Sequence, residues 1–277
     1  MKTFNLNSTV GEVKDYFGQD GKLLFPVDRN FNDNETLAQI SDSSHYLWYS
    51  HIEVEKTVEI INYLAAQKDK RQIFYPIYSE DEIRRSPQKR YTGLYFFKGK
   101  EGTPYAINNA GGGFAYVAGM QESFPHALEI SKHDYNAFAL IYPPDDPYND
   151  LAHAISFIYD HAESLGIDKN HYSLWSGSAG ARMAAELGNR EVLQNLTKRT
   201  DIPQVDTVIM QYTGFSGVSP DDAPTYVNVG DQDWIANWKT MQMRLVYLEK
   251  LGIPTEYHVY SGLSHGYGLG TGTVAEG

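Results

Sequence analysis

The sequence predicts an α/β fold, a mostly parallel eight-stranded sheet with helices on both faces, preceded by an N-terminal helical extension. Three observations carry this reading. From about residue 72 onward, short runs rich in β-branched and aromatic residues alternate with helical patterns, as strand–helix–strand units require. Leu151, Ile155, Ile158, Ala162 and Leu165 recur at spacings of 4, 3, 4 and 3, one face of a helix, and Gly166 supplies a stop. Residues 1–71, by contrast, are polar and mixed.

Residues 1–71 are therefore assigned to the extension and 72–277 to the main domain, with no Pro/Gly/Ser-rich linker and no internal repeat. The extension has one good helix at 53–67, where Val54, Val58, Ile61 and Ala65 share a face. The candidate strands follow in order: 72–78, 93–98, 104–109, 137–142, 171–175, 206–212, 225–230 and 255–260. The first two follow each other without a clear crossover helix, which predicts an antiparallel pair at one edge. Pro76 agrees, because proline cannot donate to a ladder and is tolerated at an edge. A helix near 123–132 is opened by Ser123 and Pro125, and another follows Ser178. Ile235, Trp238, Met241, Leu245 and Leu248 form a further apolar stripe that ends at Gly252 and Pro254.

A chain of 277 residues suits one large α/β domain, or one domain with an extension. Acidic residues outnumber basic ones, 35 to 23, which argues against a nucleic-acid partner. Absence of cysteine removes disulfides, thiolate nucleophiles and Cys-ligated zinc. The first residues lack the apolar stretch of a signal peptide, and no run approaches the ~20 apolar residues of a spanning helix. The expectation is a soluble, cytoplasmic protein without a membrane partner.

Ser178 is the sharpest feature, at the apex of HYSLW-SGSAG-ARMAAELG, a strand, a tight small-residue turn and a helix. A serine hydroxyl becomes a useful nucleophile when held in such a turn beside a base. The pattern is G-x-S-x-G with Ser176 in the place of the first glycine, so the pentapeptide alone also reads as a plain connection. After the third strand comes Asn109-Ala110-Gly111-Gly112-Gly113-Phe114, where glycines let backbone N–H groups approach an oxyanion. A dinucleotide fingerprint fails there, since Tyr116 stands where glycine is required. Asp231 and Asp233 follow the seventh strand and His265 follows the eighth. Each piece alone is an ordinary loop residue. Together they fall at one sheet end, where open α/β sheets gather their sites. Tyr116, Glu122, Arg182 and Trp234 lie beside these motifs, where they could line a pocket or simply pack. His126, His133, His153 and His161 show no metal-ligand spacing, so neither metal nor cofactor is expected.

With GGGF, SGSAGARMA and SHGYGLGTGT, the run from about 72 to the end resembles the α/β-hydrolase superfamily, in its esterase/lipase branch that includes acetyl xylan esterase-like and hormone-sensitive-lipase-like enzymes. The chain order Ser, Asp, His is that of the superfamily. In that branch the glycine run usually follows a histidine, and this chain has Ala110. The resemblance implies Ser178 as nucleophile, His265 as base and Asp233 as its orienting acid, with Asp231 the competing acid. Asp233 is preferred because the family's acid sits three residues after the strand-ending glycine, here Gly230. Gly112, Gly113 and Ala179 would supply the oxyanion N–H groups.

The expected function is a serine carboxylesterase acting on a small-molecule ester, with short acyl groups or acetylated carbohydrates favoured and homo-oligomerisation left open. A serine peptidase-like hydrolase is one alternative, although 71 residues cannot build the propeller of prolyl-peptidase relatives. A non-catalytic binding protein that keeps the fold is the other. The resemblance further implies a helix after the histidine loop, yet the glycine-rich stretch after His265 disfavours one. The face of the last two strands should then be covered by the 53–67 helix or by a second subunit.

Overall fold

All eight β-rich runs form strands of one sheet: β1 (Phe74–Pro76), β2 (Gly93–Phe97), β3 (Tyr105–Asn109), β4 (Asn136–Ile141), β5 (Tyr172–Gly177), β6 (Thr207–Gln211), β7 (Thr225–Gly230) and β8 (Thr255–Tyr260). The structure is a computed structural model and describes residues 2–25, 31–42 and 44–276, so parts of the expected 1–71 extension and the final Gly277 lie outside the described residues. The strand order is β1-β2-β4-β3-β5-β6-β7-β8. β1 and β2 are antiparallel, as are β2 and β4, and every other pair is parallel. Pro76 sits in the edge strand β1, opposite Gly93, where its missing N–H breaks no interior ladder. β2, β3 and β4 are buried along their whole length, as expected of strands covered on both faces.

The helices are α1 (Val10–Phe17), α2 (Leu37–Ile40), α3 (Val54–Lys68), α4 (Glu80–Arg85), α5 (Ser123–Lys132), α6 (Pro147–Asp160), α7 (Ala162–Leu165), α8 (Ser178–Gly188), α9 (Arg190–Thr197) and α10 (Trp238–Lys250). The periodic run at 151–165 is two helices: α6 starts with Pro147 in its first turn, and the chain breaks at His161 before α7. Ile235 lies ahead of α10 and is largely exposed, whereas Met241, Leu245 and Leu248 form that helix's buried stripe. Capping boxes start α1 (Thr9 with Glu12) and α4 (Ser79 with Glu82), two helices too short for their periodicity to reveal them.

The expected role of the 53–67 helix is corrected by its position. The buried side of α3 is Thr57, Ile60, Ile61, Leu64 and Ala65, with Val54 and Val58 at its margin, and it packs against α2 and α5. Lys56 and Lys132 each pair with Glu59 and Glu129, which ties α3 to α5 at the surface. Residues of this segment, from Phe4 to Ala65, belong to the same apolar core as the sheet. Leu64→Ala is expected to cost about 2–5 kcal/mol, read as a lower denaturant midpoint.

On the last two strands, α10 covers one face. At their C-terminal end Tyr267, Leu263 and Ala275 of the tail pack with Tyr212, Val229, Tyr257 and Tyr260. Further along the other face, Trp175, Ile209 and Tyr226 lie in one row and remain half-buried, with the His126 ring of α5 at 6.3 Å from that of Trp175. The tail forms turns and bends, with Gly266, Gly268, Gly270 and Gly272 all at positive φ, a conformation incompatible with helix.

Candidate active site

β3, β5, β7 and β8 run parallel, with β6 between β5 and β7, so their C-terminal ends lie at the same end of the sheet, and the loops that leave β5, β7 and β8 bring Ser178, Asp233 and His265 together. Ser178 follows β5 immediately and opens α8 with φ +50°, a left-handed conformation that costs a non-glycine residue about 1–3 kcal/mol. Gly180, the last glycine of the G-x-S-x-G pattern, has no room for a Cβ beside the Asn109 carbonyl, and the same steric demand falls on Gly177, a position the pattern leaves free. A Cβ there would run into the Glu122 carboxyl and the Tyr212 ring. Ser176, by comparison, is accommodated as a buried side chain.

Ser178 Oγ lies 2.8 Å from His265 Nε2, and His265 Nδ1 lies 2.8 Å from Asp233 Oδ2. His265 is 2% exposed and Asp233 9%, so the bond between them is shielded from water and from competing ions, while the Ser178 end stays half-buried. The other Asp233 oxygen accepts the N–H groups of Ile235 (2.8 Å) and Ala236 (2.7 Å), which fixes the carboxylate. Asp231 is elsewhere: it accepts Gly262 N–H at 2.7 Å and the Ser261 hydroxyl at 3.2 Å, at the surface. Those bonds hold its carboxyl below the usual carboxylate range.

The glycine loop after β3 folds back on itself, with Gly112 O accepting from Ala115 and Tyr116 N–H and Gly111 O from Ala118 N–H. Gly112 has φ +129° and could carry no Cβ, because one would strike the Tyr116 carbonyl. Among the described residues, the N–H groups of Gly112 and Gly113 have no acceptor within the chain. Ala179 N–H belongs to the first turn of α8, whose donors lack intrahelical partners. Ala110, in the place of the usual histidine, is fully buried, and its carbonyl accepts the Tyr142 hydroxyl at 2.5 Å.

Two contributions were not legible in the sequence. The loop around residue 48 reaches the site: Ser50 N–H is shared between the carbonyls of His265 (3.1 Å) and Gly266 (3.0 Å). Trp48, at φ +75°, stacks on Tyr116 at 5.7 Å and lies against Gly113. The Tyr116 hydroxyl in turn donates to the Leu47 carbonyl. The second is the bridging place of Glu122, which the sequence marked only as a neighbour of the motifs, lining a pocket or packing: it is buried and bonds Gly111 N–H and the Tyr212 hydroxyl. Of the other neighbours, Trp234 is 73% exposed at the rim, and the Arg182 guanidinium sits 5.8 Å over the Phe215 ring. Among the described residues no group of three or more His, Asp or Glu could hold a metal ion, and no helix is long and apolar enough to cross a membrane.

Comparison with known proteins agrees with this architecture. Residues 98–220 match the BD-FAE family model. A search of curated proteins finds no match. Among solved structures, the acetyl ester-xyloside bifunctional hydrolase from Caldicellulosiruptor lactoaceticus superposes with a TM-score of 0.61 at 20% identity, over 73% of this chain and 90% of that one. The Thermogutta terrifontis esterase Est2, solved with propionate bound, gives 0.57 at 19% identity, over 66% and 84%. MGS-M1, an α/β-hydrolase enzyme from a Medee basin deep-sea metagenome library, gives 0.55 at 22%, over 65% and 80%. The chain has the α/β-hydrolase fold, as the resemblance implied, with a BD-FAE match across the glycine loop and the Ser178 turn.

Proposed function

We propose that this chain is a serine hydrolase that cleaves small carboxylic esters through an acyl-enzyme on Ser178, with short acyl groups, acetylated carbohydrates among them, as substrates. The observation that carries this reading is the continuous line of contacts from Ser178 through His265 to Asp233, beside a glycine loop with unengaged N–H groups. The BD-FAE match and the esterases among the structural neighbours support the ester class.

The chemistry follows from the geometry. Asp233 accepts Nδ1–H of His265, which leaves the Nε2 lone pair facing the Ser178 hydroxyl. As Ser178 Oγ attacks the ester carbonyl, its proton passes to Nε2 and the carbonyl π electrons move onto oxygen. The N–H groups of Gly112, Gly113 and Ala179 would then stabilise that oxyanion, the last aided by the positive end of α8. Collapse breaks the C–O bond to the alcohol, which leaves with the proton from Nε2. Water then repeats the sequence against the acyl-enzyme, releasing the acid and restoring Ser178.

The substrate class is tested with nitrophenyl esters from acetate to dodecanoate, run beside acetylated xylo-oligosaccharides. The expected outcome is kcat/KM highest for acetate to butyrate, with acetate released from the oligosaccharides. A maximum at octanoate or beyond would contradict the short-acyl assignment while leaving the serine chemistry standing.

A further inference from the structure

Glu122 is a buried carboxylate that the mechanism above leaves without a task, although it bonds both the glycine loop and a tyrosine that packs on His265. It ends the short helical turn at Gly119–Gln121, caps α5, and is 1% exposed. One carboxylate oxygen accepts Gly111 N–H, and the other accepts the Tyr212 hydroxyl at 2.6 Å. Among the described residues no lysine or arginine forms an ion pair with it. A buried carboxylate without a cation is costly unless hydrogen bonds offset the loss of water, and two such donors come from the segments that frame Ser178 and His265.

The first donor belongs to the glycine loop. A Cβ on Gly111 would stand 2.8 Å from Ser178 Cβ and from the Gly177 carbonyl, so the loop is pressed onto the nucleophile's turn at this residue. The Glu122 bond holds Gly111 immediately before the two glycines whose N–H groups are unengaged. The second donor belongs to Tyr212, the residue after β6, which adopts φ +34°, an uncommon conformation for a bulky residue. Its ring meets His265 edge-on at 5.1 Å. The buried Tyr49, from the loop that also brings Trp48 to the site, lies next to the same carboxyl.

We propose that Glu122 is a positioning residue: its carboxyl fixes Gly111, and through it the oxyanion loop, against Ser178, and it fixes Tyr212 against His265. This rests on the serine-hydrolase reading. Burial pushes the Glu122 carboxyl up from the ordinary carboxylate range, while the Tyr212 hydroxyl, Gly111 N–H and His265 act in the opposite direction. The group is thus held between competing demands that hydrogen bonding alone would satisfy in part. The substitution Glu122→Gln would keep an acceptor for Gly111 but lose the charge and the second acceptor for Tyr212.

The test compares Glu122→Gln and Glu122→Ala with the parent chain, using kcat, KM and the rate of phosphonylation by a fluorophosphonate, each normalised to folded protein. Glu122→Gln is expected to lower kcat about 10-fold and Glu122→Ala about 100-fold, with KM within about 3-fold and phosphonylation slowed in step with kcat. If the alanine variant does not fold, the glutamine variant and its kcat-against-KM split decide the matter. A Glu122→Gln variant with a lowered melting temperature but kcat and phosphonylation within about 2-fold of the parent would make Glu122 purely structural and overturn the proposal. A parent chain that is active yet never phosphonylated at Ser178 would instead overturn the reading on which the proposal rests.

Discussion

Ser178→Ala is expected to lower ester turnover by roughly 10⁴-fold or more while leaving the fold intact. The effect is large because the hydroxyl supplies the entire covalent route, and the glycine loop alone would retain only electrostatic assistance. The fold should survive because alanine fills the same left-handed position and only the 2.8 Å bond to His265 is lost. Turnover of a nitrophenyl ester and the thermal midpoint check both halves. A variant as active as the parent would remove Ser178 from the mechanism.

His265→Ala should be nearly as severe, since no other base lies within reach of Ser178 Oγ among the described contacts. The informative comparison is between the two aspartates. Asp233→Asn is expected to cost about 10²–10⁴-fold in kcat, because an amide facing Nδ1 favours the tautomer whose Nε2 already carries a proton. Asp231→Asn should stay within a few-fold, because Asp231 only braces the turn at Ser261 and Gly262. The reverse ranking would make Asp231 the functional acid and contradict the geometry.

The sheet was legible because each strand is a short β-branched or aromatic run between turn signals, from the edge proline at 76 to the last run at 255–260. Its order was less so: nothing local in 93–97 or 105–109 shows that β2 pairs with β4 and that β3 lies beyond it. The loop residues Ser178, Asp233 and His265 were found from their places after strands, and the structure brings these three together. What escaped the sequence were contacts over long separations. Ser50 bonding at His265, Trp48 stacking on Tyr116, and Glu122 bridging Gly111 and Tyr212 leave no periodic trace. The misplaced partner of α3 has the same cause: an apolar face announces that it is buried, not against what.

The nucleophile itself is tested most directly by exposing the chain to a fluorophosphonate and mapping the adduct by peptide mass spectrometry. The account predicts one stoichiometric adduct, on Ser178, formed in parallel with loss of ester turnover and absent in Ser178→Ala. An active chain that acquires no adduct, or whose inactivating adduct lies on another residue, would contradict it.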